Sequence, residues 1–154
     1  MLSQRSHYAL RAMLILAAHG DRAPMCTVEI ARAAHISPKF LEAILLELRK
    51  SGLLVSHRGR NGGFQLARAP EQISFADVVR VTDGSLALAP CVNEMAPAKC
   101  ADCFGEEFCQ IRHALLRARV QTDAVLRAYD LAGAAARSRE GIYPVLDAAH
   151  QAAN

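Results

Sequence analysis

Apolar positions near the start of the chain recur with helical spacing. Ala9, Met13, Leu16 and Ala17, with Leu10 and Leu14 beside them, predict one helix over residues 3–18 that buries a single face. After a break from Gly20 to Pro24, Thr27 can cap a short helix running through Ala34. His35-Ile36 then turns the chain into Ser37-Pro38. Serine at the cap with proline at the first helical position is a strong start signal, because the serine oxygen satisfies a free amide and proline has none to satisfy. Leu41, Ile44, Leu45 and Leu48 follow at core spacing, and Gly52 stops this helix. Two helices joined by a tight turn make a helix-turn-helix candidate.

The period then changes from helix to strand. Leu53–His57 and Phe64–Leu66 predict two short strands bracketing Arg58-Gly59-Arg60-Asn61-Gly62-Gly63, whose Asn-Gly and Gly-Gly pairs supply the positive φ of a hairpin turn. Ser74 with Asp77 resembles a capping box, and Phe75, Val78, Val79 and Thr82 predict a further helix ending at Asp83-Gly84. Ser85 to Phe108 shows no periodicity, and a structureless stretch of that length inside a domain is usually functional. From Cys109, the positions Ile111, Leu115, Ala118, Thr122, Val125, Tyr129 and Ala132 alternate four and three residues apart. That seam predicts one long helix to Gly133, suited to pairing two chains. The Ala-rich segment 134–154 is assigned no role.

Charge changes the picture at about residue 70. Residues 1–70 carry +6 and the remainder −3, within a chain of 154 residues and net charge +3. A basic first half suggests a polyanionic partner. A helix beginning at Ser37 fits a major groove with its first turn at base edges, making Ser37, Lys39 and Glu42 candidate contacts. Arg58 and Arg60 on a slim glycine-rich hairpin can enter a minor groove or grip phosphates. No apolar run approaches the roughly 18 residues of a membrane span. Arg11 interrupts the N-terminal apolar stretch and no small-residue cleavage site follows, so no signal peptide is expected and the location is expected to be cytoplasmic. No nucleophile–base pair is evident, and the glycines of the hairpin lack the strand-to-helix context of a phosphate loop; no enzymatic activity is expected.

Cysteine carries the remaining chemistry. Five cysteines in a chain without an export signal point to metal or redox work rather than structural bridges. Four fall within nineteen residues, Cys91, Cys100, Cys103 and Cys109, spaced C-x8-C-x2-C-x5-C. Thiolates suit iron-sulfur clusters, and a loop can wrap several around one inorganic core. Zinc at the same cysteines is an alternative, weakened because only Cys100-x2-Cys103 forms a knuckle. A metal-free thiol switch near Lys99 and Arg112 is another. Cys26 stands apart and is expected to be a small buried hydrophobe.

At Tyr8-Ala9-Leu10-Arg11-Ala12-Met13-Leu14, at Phe40-Leu41-Glu42, and from Leu48-Arg49-Lys50-Ser51-Gly52-Leu53 through Arg58-Gly59 to Gly62-Gly63-Phe64, the chain resembles the IscR/NsrR family of bacterial regulators, the Rrf-two superfamily. The resemblance covers residues 1–84 closely and continues more loosely to about residue 132. It implies a mainly α, winged helix-turn-helix fold with a small β-hairpin wing and a long C-terminal dimerisation helix. It also implies a homodimeric, operator-binding regulator, by expectation a repressor, that senses redox state, nitric oxide or iron-sulfur status through a [2Fe-2S] or [4Fe-4S] cluster. Positions matching Glu42 and Arg58 are implicated in site recognition, and Arg49 joins the expected DNA-binding set. The expected division is a DNA-binding domain at 1–84, a sensor loop at 85–109, a dimerisation helix at 110–133 and a tail at 134–154.

Cys103-x5-Cys109 matches the family's last two cysteines and Cys91 takes the first place. The gap from Cys91 to Cys103 is wider than the family pattern, and Cys100 is extra. Cys100 is the favoured fourth ligand; the alternative is His7 from the partner subunit, whose position matches an N-terminal helix site where some relatives supply a carboxylate. His113, one turn after Cys109, is a weaker candidate. A metal-binding interaction module that does not read DNA is the remaining functional class, separable by salt-dependent DNA binding.

Overall fold

A computed structural model describes residues 2–20, 23–103 and 105–139. Helix α1 (Gln4–His19) begins at Ser3, whose Oγ accepts the Ser6 amide at 3.1 Å, and ends at Gly20 with φ of +69°. It buries Ala9, Ala12, Met13, Ile15, Leu16 and Ala17, the face the spacing predicts with two further positions. Helix α2 (Thr27–Ala34) starts one residue earlier than the cap reading: Cys26 is the N-cap, its amide bonded to Glu29 Oε2 at 2.7 Å, and Thr27 is already helical. Cys26 is therefore half-buried rather than a core residue, because a cap stands at the end of its helix. Arg11 donates to the Ala34 carbonyl at 2.9 Å and closes the far end of α2.

His35 makes the turn with φ 53° and ψ 47°, the left-handed conformation usually left to glycine or asparagine. Helix α3 (Pro38–Lys50) then starts as expected, with proline in its first turn; the Ser37 side chain, however, makes no capping bond, and the Ser37 carbonyl alone takes the Phe40 and Leu41 amides at 3.1 and 3.0 Å. Leu41, Ile44, Leu45 and Leu48 are buried against α1 and α2, closing one apolar core with Ile30, Leu53, Leu54, Ile73 and Val78. Burying a side chain of this size stabilises by about 1.5–3 kcal/mol, which holds α3 at a fixed angle to the rest.

Strands β1 (Leu54–His57) and β2 (Gly63–Leu66) pair antiparallel in the register Leu54↔Leu66 to His57↔Gly63. The loop end of the hairpin is pinned to the segment before α2 by reciprocal Met25 and Phe64 backbone bonds of 3.1 and 2.8 Å. Glycine is required there: a Cβ at Gly63 would lie 2.3 Å from the Met25 carbonyl oxygen. Helix α4 (Phe75–Thr82) opens with the expected box, Asp77 N to Ser74 Oγ at 3.2 Å and Ser74 N to Asp77 Oδ2 at 3.0 Å.

The stretch read as aperiodic contains one 3₁₀ turn, Pro90–Val92, which seats Cys91. The helix predicted to run unbroken to Gly133 is instead two: α5 (Gln110–Ala128) and α6 (Leu131–Arg139). Asp130 causes the break, because its Oδ1 accepts the Gly133 amide at 2.7 Å and so caps a new helix. Tyr129 and Leu131 pair with Ile73 and Phe75 through backbone bonds of 2.8 and 3.0 Å, and α6 folds back on α1 with Leu131 and Ala135 buried. Residues 134–139, read as part of a tail without role, are thus structural; 140–154 lie outside the described residues. No helix among the described residues is long and apolar enough to cross a membrane.

Candidate nucleic-acid interface and cysteine loop

The face of α3 turned away from the core carries Ser37, Lys39, Glu42 and Arg49, all exposed. Lys39, Glu42 and Arg49 stand three and seven residues apart, which sets them along one stripe of the helix. Arg49 Nη1 lies 3.3 Å from Ser56 Oγ, joining the end of this stripe to strand β1. Arg58 and Arg60 are exposed on the loop beyond β1, where Gly59 takes φ of +110° and a Cβ at Gly62 would lie 2.3 Å from the His57 carbonyl oxygen. All six residues expected to meet DNA therefore stand on two adjoining exposed elements.

Not every basic residue of this half is available. Arg5 pairs with Glu47, and Arg11 is spent on the end of α2. The net charge of +6 is unchanged by these contacts, since it already counts Glu47 against Arg5 and Arg11 keeps its charge on a neutral carbonyl. Phe40 is 53% exposed beside Lys39, with its ring edge-on to Tyr8 at 5.9 Å. Sequence reasoning used it only in the Phe40-Leu41-Glu42 resemblance and not as a candidate contact, although an aromatic in the first turn of a recognition helix was visible.

The cysteines gather at the other end of the molecule's order. Cys91 is buried in the 3₁₀ turn packed on α5, and a bond from Ala98 N to the Pro90 carbonyl at 3.2 Å doubles the loop back toward it. Cys103 N bonds the Cys100 carbonyl at 3.3 Å. Cys109 is the N-cap of α5, its Sγ accepting the Arg112 amide at 3.4 Å. The Cys100 thiol is pushed up, first by a hydrogen bond with Cys91 and then by the charges of Cys91, Cys103 and Cys109. The charges of the other three thiols therefore reach Cys100. Among the described residues, no three His, Cys, Asp or Glu side chains form a ready-made metal shell. The four cysteines thus share one loop, with Cys91 in its 3₁₀ turn and Cys109 at the start of α5. His7 is exposed near the start of α1, and His113 lines a hollow with Cys109.

Charged contacts tie this loop to the winged half. Glu94 accepts from Ser85 Oγ at 2.7 Å and pairs with Arg119 at 2.9 Å; the Ser85 bond chiefly holds its carboxyl below the ordinary range. Asp123 of α5 pairs with Arg80 of α4 and with Arg127 at 2.7 Å. Burial would raise the Asp123 carboxyl, but the two arginines hold it down. The seam positions Ile111 and Val125 are 72% and 57% exposed and within one chain cover no core, whereas Tyr129, 48% exposed, sets its ring 6.1 Å from that of Phe75. The inward row instead runs through Arg112, Leu116, Arg119 and Asp123. Sequence reasoning set Arg112 beside the thiols but missed Arg119, because along this helix it followed the apolar seam alone.

Comparison with known proteins agrees with this architecture. The chain is 44% identical over 115 residues to an rrf2-like HTH-type transcriptional regulator of Rhodobacter capsulatus, covering 73% of this chain and 77% of that protein. It is 37% identical over 131 residues to the HTH-type transcriptional regulator NsrR of Geobacillus kaustophilus, covering 85% and 86%. Among solved structures, T. potens IscR superposes with a TM-score of 0.73 at 27% identity, covering 92% of this chain and 90% of that one. CymR, the global cysteine regulator of B. subtilis, gives 0.73 at 26%, covering 89% and 97%. The fold is accordingly a winged helix-turn-helix. The model of the Rrf2 family, described as iron-dependent transcriptional regulators, matches residues 2–137, and the chain belongs to that family.

Proposed function

We propose that this transcriptional regulator is a cytoplasmic homodimer that binds a two-fold operator in double-stranded DNA, acts as a repressor, and changes its affinity with the state of an iron-sulfur cluster in the cysteine loop. The observation that carries the reading is four thiols on one short loop, with Cys91 seated in the 3₁₀ turn packed on α5 and Cys109 capping that same helix. Soft thiolates are the ligands such clusters prefer, and an all-thiolate set on one loop fits their donor chemistry. A bound cluster would supply a centre that reacts with oxygen or nitric oxide.

The protein's own residues supply the rest. Ser37, Lys39 and Glu42 meet base edges and phosphates, Arg49 holds the backbone beside the wing, and Arg58 and Arg60 reach the neighbouring groove. Ile111, Val125 and Tyr129 pair the two copies, whose symmetry the operator mirrors with half-sites about one helical turn apart. Cys91, Cys103 and Cys109 are the first three ligands and Cys100 the fourth, with His7 of the second copy as the competitor for that place.

The test is the visible spectrum and the iron and sulfide content of anaerobically purified protein. Cys91→Ala, Cys103→Ala and Cys109→Ala should each abolish cluster loading, and Cys26→Ala should leave it unchanged. Retention in Cys100→Ala together with loss in His7→Ala moves the fourth ligand to the second copy. A metal-free thiol switch is the second reading, favoured by the Cys91–Cys100 thiol contact and the absence of a ready-made metal shell among the described residues. Colourless, iron-free protein whose DNA affinity still falls on oxidation would select it.

A further inference from the structure

Two arginines of α5 face the cysteine loop with nitrogen atoms that have nothing to bond. Arg112 Nε and Arg119 Nε are both buried and, among the described residues, lack a hydrogen-bond partner. Leaving a charged donor unsatisfied out of water costs more than the loss of an ordinary hydrogen bond. Such atoms call for an acceptor. Arg119 already spends Nη1 on Glu94, three residues beyond Cys91. Arg112 lines a hollow of about 220 Å³ together with Cys109, Glu106 and His113. Its Nε is 3.7 Å from Glu106 Oε2, an ion pair too long to be a hydrogen bond, and its backbone amide donates to Cys109 Sγ at 3.4 Å.

We infer that Arg112, with Arg119 two turns further along α5, is a positioning residue for the anionic group held by the cysteines: it supplies charge and an N–H donor beside the sulfur of Cys109 and so sets how readily that group is reduced. The inference rests on the cluster reading above. Neutral thiols are weak acceptors and leave both nitrogens idle. Thiolates on iron carry net negative charge and accept hydrogen bonds, and bonds to cluster sulfurs together with local charge are main determinants of reduction potential. A cation favours the more negative, reduced state. Removing Arg112 must lower the potential, and removing Glu106 must raise it by leaving Arg112 unopposed.

Arg112→Leu, Glu106→Gln and wild type are compared after anaerobic purification by circular dichroism, iron and sulfide per chain, and redox titration followed in the visible. Arg112→Leu should keep the wild-type fold and iron content while its reduction equilibrium shifts at least about tenfold toward the oxidised form, equivalent to 59 mV for one electron. Glu106→Gln should shift in the opposite direction. That opposition separates electrostatics from a structural role, since both variants break the same ion pair. Loss of iron from folded Arg112→Leu with retention in Glu106→Gln also supports the assignment. If Arg112→Leu does not fold, Glu106→Gln decides alone: a raised potential supports the inference and an unchanged one overturns it. Iron-loaded wild type with an unchanged potential in Arg112→Leu overturns this inference only, whereas iron-free wild type overturns the cluster reading as well.

Discussion

The two longest described helices make opposite use of their residues. Helix α1 spans 16 residues and buries seven of them, including Met13 and Ile15, whereas α5 spans 19 and buries none. Both are amphipathic in sequence, so pattern alone does not separate them. Packing does: α1 is the hub against which α2, α3, α4 and α6 assemble, while α5 touches its own chain through a half-buried row of Arg112, Leu115, Leu116, Arg119, Asp123 and Leu126 and turns Ile111 and Val125 outward. A helix stabilised by its own chain belongs to a core. A long one that is not needs a partner or a bound group to fix it.

The sharpest way to break that contrast is to truncate one side chain on each side of it. Leu45→Ala, in the fully buried core, should cost about 2–5 kcal/mol of stability in denaturant unfolding. Val125→Ala should change unfolding of the winged half by no more than about 0.5 kcal/mol, while moving the monomer–dimer midpoint seen by light scattering to higher concentration. Equal costs would show α5 to be a core helix after all. Next in size are the two exposed elements of the winged half. Arg58→Ala should lose about 1–3 kcal/mol of specific binding with little change on random DNA, whereas Lys39→Ala should weaken both alike and reduce the salt slope by about one.

The same contrast explains what could be read in advance. Helices α1, α3 and α4 and the hairpin follow from apolar spacing and turn residues, because each buries the face its pattern marks. The helix break at Asp130 was missed since a heptad seam masks a cap, although Asp130 with Gly133 three residues on was a legible start signal. Cys26 was misplaced for a similar reason: an N-cap sits at the boundary of the core that its apolar character suggested. At the candidate site, the cysteine spacing marked the loop and the four residues proposed as ligands. Arg112 was legible three residues after Cys109, but Arg119 was not, because which face of α5 turns inward is fixed by α4 and the Pro90–Val92 turn, far away in sequence.

Smaller effects refine the picture within the packed half. His35 holds left-handed backbone at an exposed turn, so His35→Asn should raise the melting temperature by an amount worth a few tenths to about 1 kcal/mol. The smallest effect is at Asp83, where burial would raise the carboxyl but hydrogen bonds from Ser3 Oγ and from Ser3 N at 2.9 Å hold it below the ordinary range. A depressed carboxyl stabilises the fold above its unfolded value, about 3.9, and that contribution disappears as pH falls through the lower folded value. Melting temperature measured down the acid limb should therefore fall less steeply in Asp83→Asn than in wild type.

The central claim is that the loosely packed cysteine loop and α5 govern the well-packed DNA-reading half through the Glu94–Arg119 and Asp123–Arg80 ties. The direct measurement is fluorescence anisotropy of labelled operator duplex, selected from a random pool, titrated with cluster-loaded and cluster-free protein at matched salt. A ligand shifts such an equilibrium only by its differential affinity for the two states. The two forms should differ about 5- to 150-fold in operator affinity, the usual range of allosteric coupling. Equal affinity would contradict the account and leave the cysteines a purely structural role.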